Sequence, residues 1–495
     1  MNRLSAFEAV LVVADQGSFR PWGGAFPSLE PLPEAYAKDL GTAREISGAD
    51  EAVLAGRARI GGVAVGVLAW EFTFLGGSVG IGTAARIVSA VRRATAEGLP
   101  LVAIPRSGGT RMQEGAPAFV QMVAIAAALA EHRAAGLPYF VHLCDPTAGG
   151  VLATLGSAGD LTTAEPSAMV GFLGPRAFSA ITGEQFPAGV QTAENLHARG
   201  LIDAVLAWDD LREYWSRVLV LWDGRLPSPA AAPIEHQGPR VTPKVEGGPD
   251  SAGQLWDYVQ VSRQSHRMDP EQFLAAHVAD LVVLPGSGQG EVASGALVGL
   301  GRLVGMPVVV VATMDRRSGL PLTVGGLRTI RRGISLAGRW GLPVVTVIDT
   351  LGAQLSVDGE HSGIAWQISR VMLDLVSAPV PTASLLLGAG TGGAALALLA
   401  TDRIVAGSHT WVSPLAPEGA AAIRRGGSHD PAQIAWEQRI GAHALAELGF
   451  IDQVVRESHP EWQREAADAL AAQLHEVIGG HDRDRRFERY AAWAS

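Results

Sequence analysis

The sequence predicts an α/β fold made of two similar domains in tandem. In its 495 residues, apolar runs of strand length lead into glycine-rich turns and then into Ala- and Leu-rich segments with helical spacing. One such unit of strand, glycine pair and helix occurs at Gly149, and another at Gly392. A Gly-Leu-Pro sequence precedes each pair, and from Gly98 to Gly149 and from Gly341 to Gly392 is 51 positions. A repeat this long indicates a duplicated domain rather than a solenoid.

The repeat divides the chain into an N-terminal domain (1–224), a linker (225–253) and a C-terminal domain (254–495). The linker is rich in Pro, Gly, Ala and charged residues and shows no apolar periodicity. Further matches follow the glycine pairs: Gly171–Pro175 aligns with Ser413–Pro417, and Ala198–Asp203 aligns with Glu447–Asp452.

Elements of the N-terminal domain follow from periodicity and turn residues. The predicted helices are Phe7–Val13, Ala35–Ser47, Ala84–Ala96, Phe119–His132 and Gln191–Arg199. The predicted strands are a hairpin over Arg59–Trp70, then Leu101–Ile104, Tyr139–Leu143, Leu161–Val170 and Asp203–Val205.

The C-terminal domain repeats this alternation. Its predicted strands are Asp280–Leu284, Pro307–Ala312, Val344–Ile348 and Leu385–Leu387. Its predicted helices are Gln254–Arg267, Leu327–Trp340, His429–Leu448 and Trp462–Val477.

Composition excludes several classes of function. The net charge of −10 argues against nucleic acid as a bulk partner. The single cysteine, Cys144, rules out a disulfide framework and a Cys-rich zinc site, and we expect a buried, inert thiol. No convincing secretory signal is present, and no run reaches the ~18 apolar residues of a membrane span. We therefore expect a soluble, cytoplasmic protein without a membrane partner.

The glycine pairs are the strongest candidate for chemistry. A glycine pair at a helix start lets a ligand oxygen approach two backbone N–H groups, where the helix dipole adds positive charge. This is the construction of an oxyanion hole. A turn that needs glycine only for packing is the alternative at either pair. Two such turns in one chain would suit chemistry that develops an oxyanion on each of two reactants.

Two further glycine-rich loops are candidate binding sites. In Phe72–Gly82, Gly76 and Gly77 precede a helix, so the loop could hold a phosphate or a pantetheine chain, or it could be a structural turn. The loop Ser107–Gly115 follows a predicted strand, where open α/β sheets place ligands. Within it, Arg111 could bind a phosphate or form a salt bridge with Glu114.

Side-chain catalysis has little support. No Gly-x-Ser-x-Gly elbow is present, and three scattered histidines, His361, His409 and His429, lack metal-ligand spacing. Asp349 and Glu360 could form a carboxylate pair, but a turn cap and a solvated acid are equally ordinary roles for them. No side chain stands out as a nucleophile or a general base.

Several of these motifs resemble bacterial acetyl-CoA carboxylase carboxyltransferase. The segments similar to its β subunit are Phe72–Gly82, Ser107–Gly115, Asp145–Gly159 and Ala164–Pro175, and those similar to its α subunit are Gly341–Ala353, Gly388–Ala400 and Ser413–Ile423. The chain thus resembles a β–α fusion of the biotin-dependent carboxyltransferase family. The resemblance implies two tandem crotonase/ClpP-like domains built of ββα superhelix units. The first would be on the acyl-CoA side and the second on the biotin side.

The resemblance also implies a reaction. CO2 would pass from carboxybiotin on a carrier protein to the α-carbon of an acyl-CoA, expected to be acetyl-CoA, which gives malonyl-CoA for fatty acid biosynthesis. The N–H groups of Gly149 and Gly150 would stabilise the enolate oxygen, and those of Gly393 and Ala394, beside Gly392, the ureido oxygen of biotin. The biotin anion would take the α-proton. The implied substrate-binding residues are Gly76, Gly77, Ser107, Gly108, Gly109 and Arg111.

Partners follow from the same resemblance. Without an ATP-grasp domain or a biotin-attachment lysine, the chain would work with a biotin carboxylase and a biotin carboxyl carrier protein. We expect a homo-oligomer, a dimer or a trimer of dimers, with each site between the first domain of one protomer and the second domain of another. The four-cysteine zinc ribbon of the bacterial β subunit is missing, so no metal is expected in this chain.

The second domain departs from the family pattern. Leu351 stands where the family has proline in the turn Asp349–Ala353, and Leu355–Gly359 lacks the usual glycine and acid pattern. Two alternatives therefore stay open: a biotin-independent malonyl-thioester decarboxylase of the fused βγ type, and an inactive carboxylase scaffold. The motif Ser107–Gly115 favours the carboxyltransferase over the decarboxylase, and intact Gly392-Gly393 argues against the scaffold.

Overall fold

The computed structural model describes residues 3–24, 32–174, 178–179, 183–199, 201–223, 248–249, 251–289, 291–314, 319–423, 430–458, 461–479 and 489–490. Its framework is two large mixed sheets, one in each half of the chain, and a small two-stranded sheet. The predicted α/β class with two related halves is confirmed. Most of the predicted linker lies outside the described residues, so the domain boundaries stay a prediction.

The first half is built on a seven-stranded sheet. The strands of this half are β1 (Arg20–Pro21), β2 (Val53–Ile60), β3 (Val63–Trp70), β4 (Leu101–Ile104), β5 (Tyr139–Leu143), β6 (Thr147–Ala148), β7 (Leu161–Ala164), β8 (Val170–Gly171) and β9 (Ala204–Val205). The order is β1-β2-β3-β4-β5-β7-β9, antiparallel up to β3 and parallel from there on. Strands β6 and β8 form the separate parallel pair.

Helices cover this sheet. They are α1 (Ala6–Val13), α2 (Glu34–Ser47), α3 (Ile81–Ala96), α4 (Gly115–Ala134), α5 (Gly149–Val151), α6 (Ala193–Ala198) and α7 (Trp208–Asp223). A π-helical turn, Leu152–Gly156, continues α5. Such turns often occur at functional sites.

The second half has an eight-stranded sheet. Its strands are β10 (Val278–Leu284), β11 (Ala296–Leu303), β12 (Met306–Thr313), β13 (Val344–Thr350), β14 (Thr382–Thr391), β15 (Arg403–Gly407), β16 (Trp411–Ser413) and β17 (Gln453–Val455). The order is β10-β11-β12-β13-β14-β15-β17, with β16 paired to β14. Its helices are α8 (Ala252–Ser262), α9 (Pro270–His277), α10 (Val324–Trp340), α11 (Val357–His361), α12 (Ile364–Val376), α13 (Gly392–Leu398), α14 (Pro417–Ile423), α15 (Pro431–Glu437), α16 (Ala442–Glu447) and α17 (Trp462–Gly479).

The two sheets share one register. Leu101 pairs with Tyr139 between β4 and β5, and Val344 pairs with Thr382 between β13 and β14. Each partner in the second sheet lies 243 positions after its counterpart in the first. The duplication predicted from the glycine spacing is therefore present in the strand pairing itself.

Two predicted elements are each divided into two in the structure. The strand predicted over Leu161–Val170 is two strands, β7 and β8, in different sheets, and Ser167 between them has a φ of 61°. The helix predicted over His429–Leu448 is two short helices, α15 and α16. Arg439 between them has a φ of 51°, which interrupts a right-handed helix, and His429 lies outside the described residues.

One hydrophobic core joins the halves. Helix α12 of the second half packs against α4 and the π-helical turn of the first, and a single cluster of buried apolar residues spans both. At this contact the Ser369 hydroxyl donates to the Thr154 carbonyl at 3.2 Å. By length and composition the segment Met112–Ala134, which contains α4, could cross a membrane. Its apolar window is entirely buried inside the protein, however, so it is weak evidence for a membrane span.

Candidate active site

The glycine turn of the first half is held by its neighbour in space. The Ser107 hydroxyl accepts a hydrogen bond from the Gly109 N–H at 3.0 Å, and this fixes the turn after β4. Gly109 has a φ of 112° and faces Gly149, because a Cβ on Gly109 would lie 3.5 Å from the Gly149 Cα. Gly149 has a φ of 64° and begins α5. Both glycines hold backbone conformations that other residues rarely adopt.

The second half repeats this arrangement residue by residue. The Thr350 hydroxyl accepts from the Gly352 N–H at 3.0 Å, Gly352 has a φ of 118°, and Gly392 has a φ of 75° at the start of α13. Each lies 243 positions after Ser107, Gly109 and Gly149 respectively. The two predicted oxyanion turns are therefore one backbone device made twice.

Backbone donors are available at both turns. Gly150 and Gly393 occupy the second helical position, where an N–H group has no partner within its own helix. Within the described part of the chain, neither N–H donates to a carbonyl or side-chain oxygen. Both glycines are partly exposed. The geometry is suited to holding an anionic oxygen, and the roles of the glycines stay a prediction.

Each turn has a buried hydroxyl that finds no hydrogen-bond partner among the residues that the structure describes. At the first turn it is Thr110 Oγ1, and a Cβ on Gly150 would lie 2.8 Å from it. Thr391 Oγ1, also without a partner, belongs to the residue just before Gly392. Buried hydroxyls are normally hydrogen-bonded, so these two are available to form a hydrogen bond with a ligand. Neither threonine stands out in the sequence pattern, because each is an ordinary polar residue beside a glycine turn.

The second turn lies against residues of the first half. A Cβ on Gly393 would lie 3.4 Å from Ile368 Cγ2, 3.6 Å from Phe172 Cε2 and 3.8 Å from Ala153 Cβ. Ala153 belongs to the π-helical turn that follows Gly150. A single chain therefore brings the surroundings of its two turns together around an apolar wall. The predicted placement of each site between two protomers stays a prediction.

The glycines predicted to bind substrate pack backbone against backbone. Gly77 has a φ of 63°, and a Cβ there would lie 2.1 Å from the Arg106 carbonyl oxygen. The Gly76 carbonyl accepts from the Gly108 N–H at 3.0 Å. With Gly109 bound to Ser107, the N–H groups of Gly108 and Gly109 are both used internally. Close packing therefore explains Gly77, and the hydrogen bond between Gly76 and Gly108 brings the two predicted loops together.

Arg111 is not placed to bind a phosphate. Its side chain is only 1% exposed, and its guanidinium contacts Glu51 at 2.5 Å and Glu114 at 3.3 Å, with the Ser78 carbonyl at 2.8 Å. Burial opposes ionisation of Glu51, but Arg111 outweighs it and lowers the pKa of that carboxyl. Of the two alternatives for Arg111, the ion pair with Glu114 is observed. The predicted phosphate contact is corrected, because no free N–H direction is left for a ligand.

Asp349 and Glu360 do not form a carboxylate pair. Asp349 is buried and accepts from the Ala389 N–H at 2.7 Å, so it supports the strand that leads into the second glycine pair. The turn after it carries Leu351, whose side chain is 60% exposed. Glu360 is buried rather than solvated, and it accepts hydrogen bonds from Phe172 and Gln191 of the first half.

A cavity of about 680 Å³ opens beside α11, between the halves. Arg199 and Leu201 line it from the first half, and Arg328, His361 and Arg370 from the second. Gln354, also in its lining, lies 243 positions after Arg111. The buried Arg111 network of the first half thus corresponds to open space in the second.

Among the residues that the structure describes, no group of three or more His, Cys, Asp or Glu side chains could hold a metal ion. Cys144 is buried, and burial raises the pKa of its thiol, as expected of an inert cysteine.

Comparison with known proteins adds a family. The family described as "Carboxyl transferase domain" matches residues 1–478. A Mycobacterium tuberculosis protein named probable biotin-dependent acyl-coenzyme A carboxylase beta3 subunit is 45% identical over 484 residues, covering 96% of this chain and 95% of that protein. The acetyl-coenzyme A carboxylase carboxyl transferase subunits beta/alpha of Salinispora arenicola are 33% identical over 518 residues, covering 99% and 91%. The crystal structure of transcarboxylase 12S is 21% identical, with a TM-score of 0.38, and covers 97% of this chain and 91% of that one.

Proposed function

Because this chain belongs to the carboxyl transferase family and is the carboxyltransferase of a biotin-dependent acyl-CoA carboxylase, we propose that its substrate is acetyl-CoA and its product malonyl-CoA. The relatives named for acetyl-CoA support this choice at 33% identity. The relative at 45% identity is named for acyl-CoA in general, so longer acyl-CoAs are the competing substrates.

The choice of acetyl-CoA rests on the relatives, and the observation that supports carboxyl transfer is the pair of matching glycine turns, whose Gly150 and Gly393 N–H groups are unused within the described part of the chain. Gly149 and Gly150 would donate their N–H groups to the thioester oxygen as negative charge develops on it. Gly393 and Ala394 would donate to the ureido oxygen of biotin. Donors fixed before the reaction need no reorganisation, which is why such turns stabilise charge effectively.

The surroundings of the second turn support its assignment to the biotin ring. The N–H groups of Gly393 and Ala394, at the start of α13, lie beside an apolar wall. The wall is formed by Ile368, Phe172 and Ala153, and it suits a compact ring that carries one strongly accepting oxygen. Carboxybiotin supplies an activated carboxyl group when its carrier protein delivers it. We therefore propose a biotin carboxylase and a biotin carboxyl carrier protein as partners, and a homo-oligomer as the working assembly.

The test is the reverse half-reaction, release of CO2 from malonyl-CoA in the presence of free biotin. Gly150→Pro and Gly393→Pro each remove one N–H donor, and loss of one oxyanion donor typically lowers turnover by ~10²–10³-fold. Gly253→Pro is the matched control, since Gly253 holds the same second position in α8, is exposed, and has open space where a side chain would go. It should retain wild-type turnover.

Each other outcome identifies an alternative. CO2 release that does not depend on biotin would favour the malonyl-thioester decarboxylase. No release from a folded chain with malonyl-CoA or methylmalonyl-CoA would favour the inactive scaffold. Equal activity in all three proline variants would remove the glycine turns from the mechanism.

A further inference from the structure

Glu360 is a buried acid that links the two halves next to the second turn. It lies in α11 of the second half and is 5% exposed. Its Oε1 accepts from the Phe172 N–H at 2.7 Å and from Gln191 Nε2 at 2.7 Å, both in the first half. Gln191 Nε2 also donates to the Leu173 carbonyl at 2.8 Å. The carboxylate therefore organises the backbone of a loop on the other half.

Glu360 has no positively charged partner among the described residues. In the described part of the chain, no Arg, Lys or His forms an ion pair with Glu360. Burial raises the pKa of Glu360, while hydrogen bonds from Gln191, Phe172 and Leu173 favour its charged form. An unpaired buried carboxylate costs stability, and an apolar or amide side chain would serve a purely structural contact better.

The loop that Glu360 holds reaches the second turn. Phe172 donates its N–H to Glu360, and its ring edge would lie 3.6 Å from a Cβ on Gly393. Gly171, just before it, is confined by Gln191, because a Cβ there would lie 2.3 Å from Gln191 Nε2. Backbone and ring are therefore fixed together, and the ring position depends on the hydrogen bond to Glu360.

We propose that Glu360 is a positioning residue for biotin, because its carboxylate holds the Phe172 loop so that the Phe172 ring forms the wall of the Gly393 turn. The inference rests on the proposed function, since it assigns biotin to that turn. Glu360 lies outside both glycine turns, and it acts on the Gly393 turn through Phe172 of the other half.

The kinetic test compares Glu360→Ala, Phe172→Ala and the double variant in biotin-dependent CO2 release from malonyl-CoA. Each single variant should raise the KM for free biotin about tenfold, the effect of losing one well-placed contact, with the kcat nearly unchanged. Because Glu360 acts through Phe172, the double variant should raise the KM no further. Glu360→Gln keeps an acceptor oxygen and should restore part of the affinity.

Asp358→Ala is the matched control. Asp358 is an exposed carboxylate in the same short helix, and its removal should leave the KM for biotin at the wild-type value. A KM in Glu360→Ala no higher than in this control would overturn the proposal. So would a double variant whose KM is the product of the two single effects. Should Glu360→Ala not fold, Glu360→Gln and Phe172→Ala carry the same comparison.

Hydrogen exchange gives a readout that needs no activity. The Phe172 amide should exchange faster in Glu360→Ala than in the wild type, and unchanged exchange there would overturn the proposal. A wild-type chain without biotin-dependent turnover would instead count against the proposed function, and the exchange result would still decide whether Glu360 holds the loop.

Discussion

At the scale of single residues, the two glycines that begin α5 are required for different reasons. Gly149 has a φ of 64°, so any side chain there strains the backbone even though space is available around it. Gly150 lies outside the left-handed region, but a Cβ on it would lie 2.8 Å from Thr110 Oγ1. One position is restricted by conformation and the other by a neighbouring hydroxyl.

This difference predicts a rescue. Gly150→Ala should lower biotin-dependent CO2 release, because the new methyl group crowds Thr110 and displaces the donor. Adding Thr110→Ala should recover most of the lost activity, since it removes the crowding atom. Gly149→Ala should not be rescued by Thr110→Ala, because its defect is backbone strain. Steady-state kinetics on the four variants checks this, and failure of the double variant to recover would contradict the crowding argument.

Single residues also show the limit of sequence analysis. The glycine pairs and their 51-residue spacing could be predicted, because a tight turn leaves a local trace in composition. Glu360 could not, since its partners Phe172 and Gln191 lie 188 and 169 positions away and only the folded chain brings them together. The alternatives for Arg111 could be stated but not decided, because Glu51 lies 60 positions upstream.

At the scale of elements, the Arg111 network joins several segments that are distant in sequence. Its guanidinium contacts Tyr36 of α2, Thr83 of α3 and Glu51 of the segment before β2. The ring of Phe74 lies 5.4 Å from it. The buried guanidinium thus connects these elements through hydrogen bonds and ion pairs. Its removal would leave the carboxylates of Glu51 and Glu114 without their positive partner.

Arg111→Gln should therefore act on stability. We expect a loss of about 3–5 kcal/mol in the free energy of unfolding, the usual result of removing one partner from a buried ion pair. Urea denaturation measures it, with Arg339→Gln on the exposed end of α10 as the control. A variant with wild-type stability and a raised KM for acyl-CoA would instead restore the phosphate-binding hypothesis for Arg111.

Elements were predictable where the pattern was local. Strands β4 and β5 have the predicted bounds, because each is an apolar run closed by glycine or proline. Strand β14 is longer than predicted, since Thr382 and Ser384 are buried polar residues whose hydroxyls find partners only in the fold. The helix over His429–Leu448 was predicted as one because its apolar spacing continues across the break at Arg439.

At the scale of the whole molecule, the two halves behave as one folding unit. Helix α12 supplies apolar side chains to a cluster that continues into α4, so a large part of the core of each half is buried by the other half. A large apolar interface of this kind resists independent motion of the parts it joins.

Unfolding should accordingly be one event. We expect a single calorimetric transition for the chain, with exchange protection of α4 and α12 lost together, because each covers the other. Two resolved transitions, or exchange of α12 well before α4, would contradict a shared core.

The constant offset of 243 positions is expected of a duplicated unit. Comparing residues at this offset shows which features of the two halves are alike and which differ. The hydroxyl and glycine positions of the turns are present in both halves. The position of Arg111 in the first half is occupied by Gln354 in the second. In the first half this position is filled by the buried ion pairs of Arg111, and in the second half it borders the cavity of about 680 Å³. Divergence has thus changed the flanks of the two turns while leaving their backbone alike.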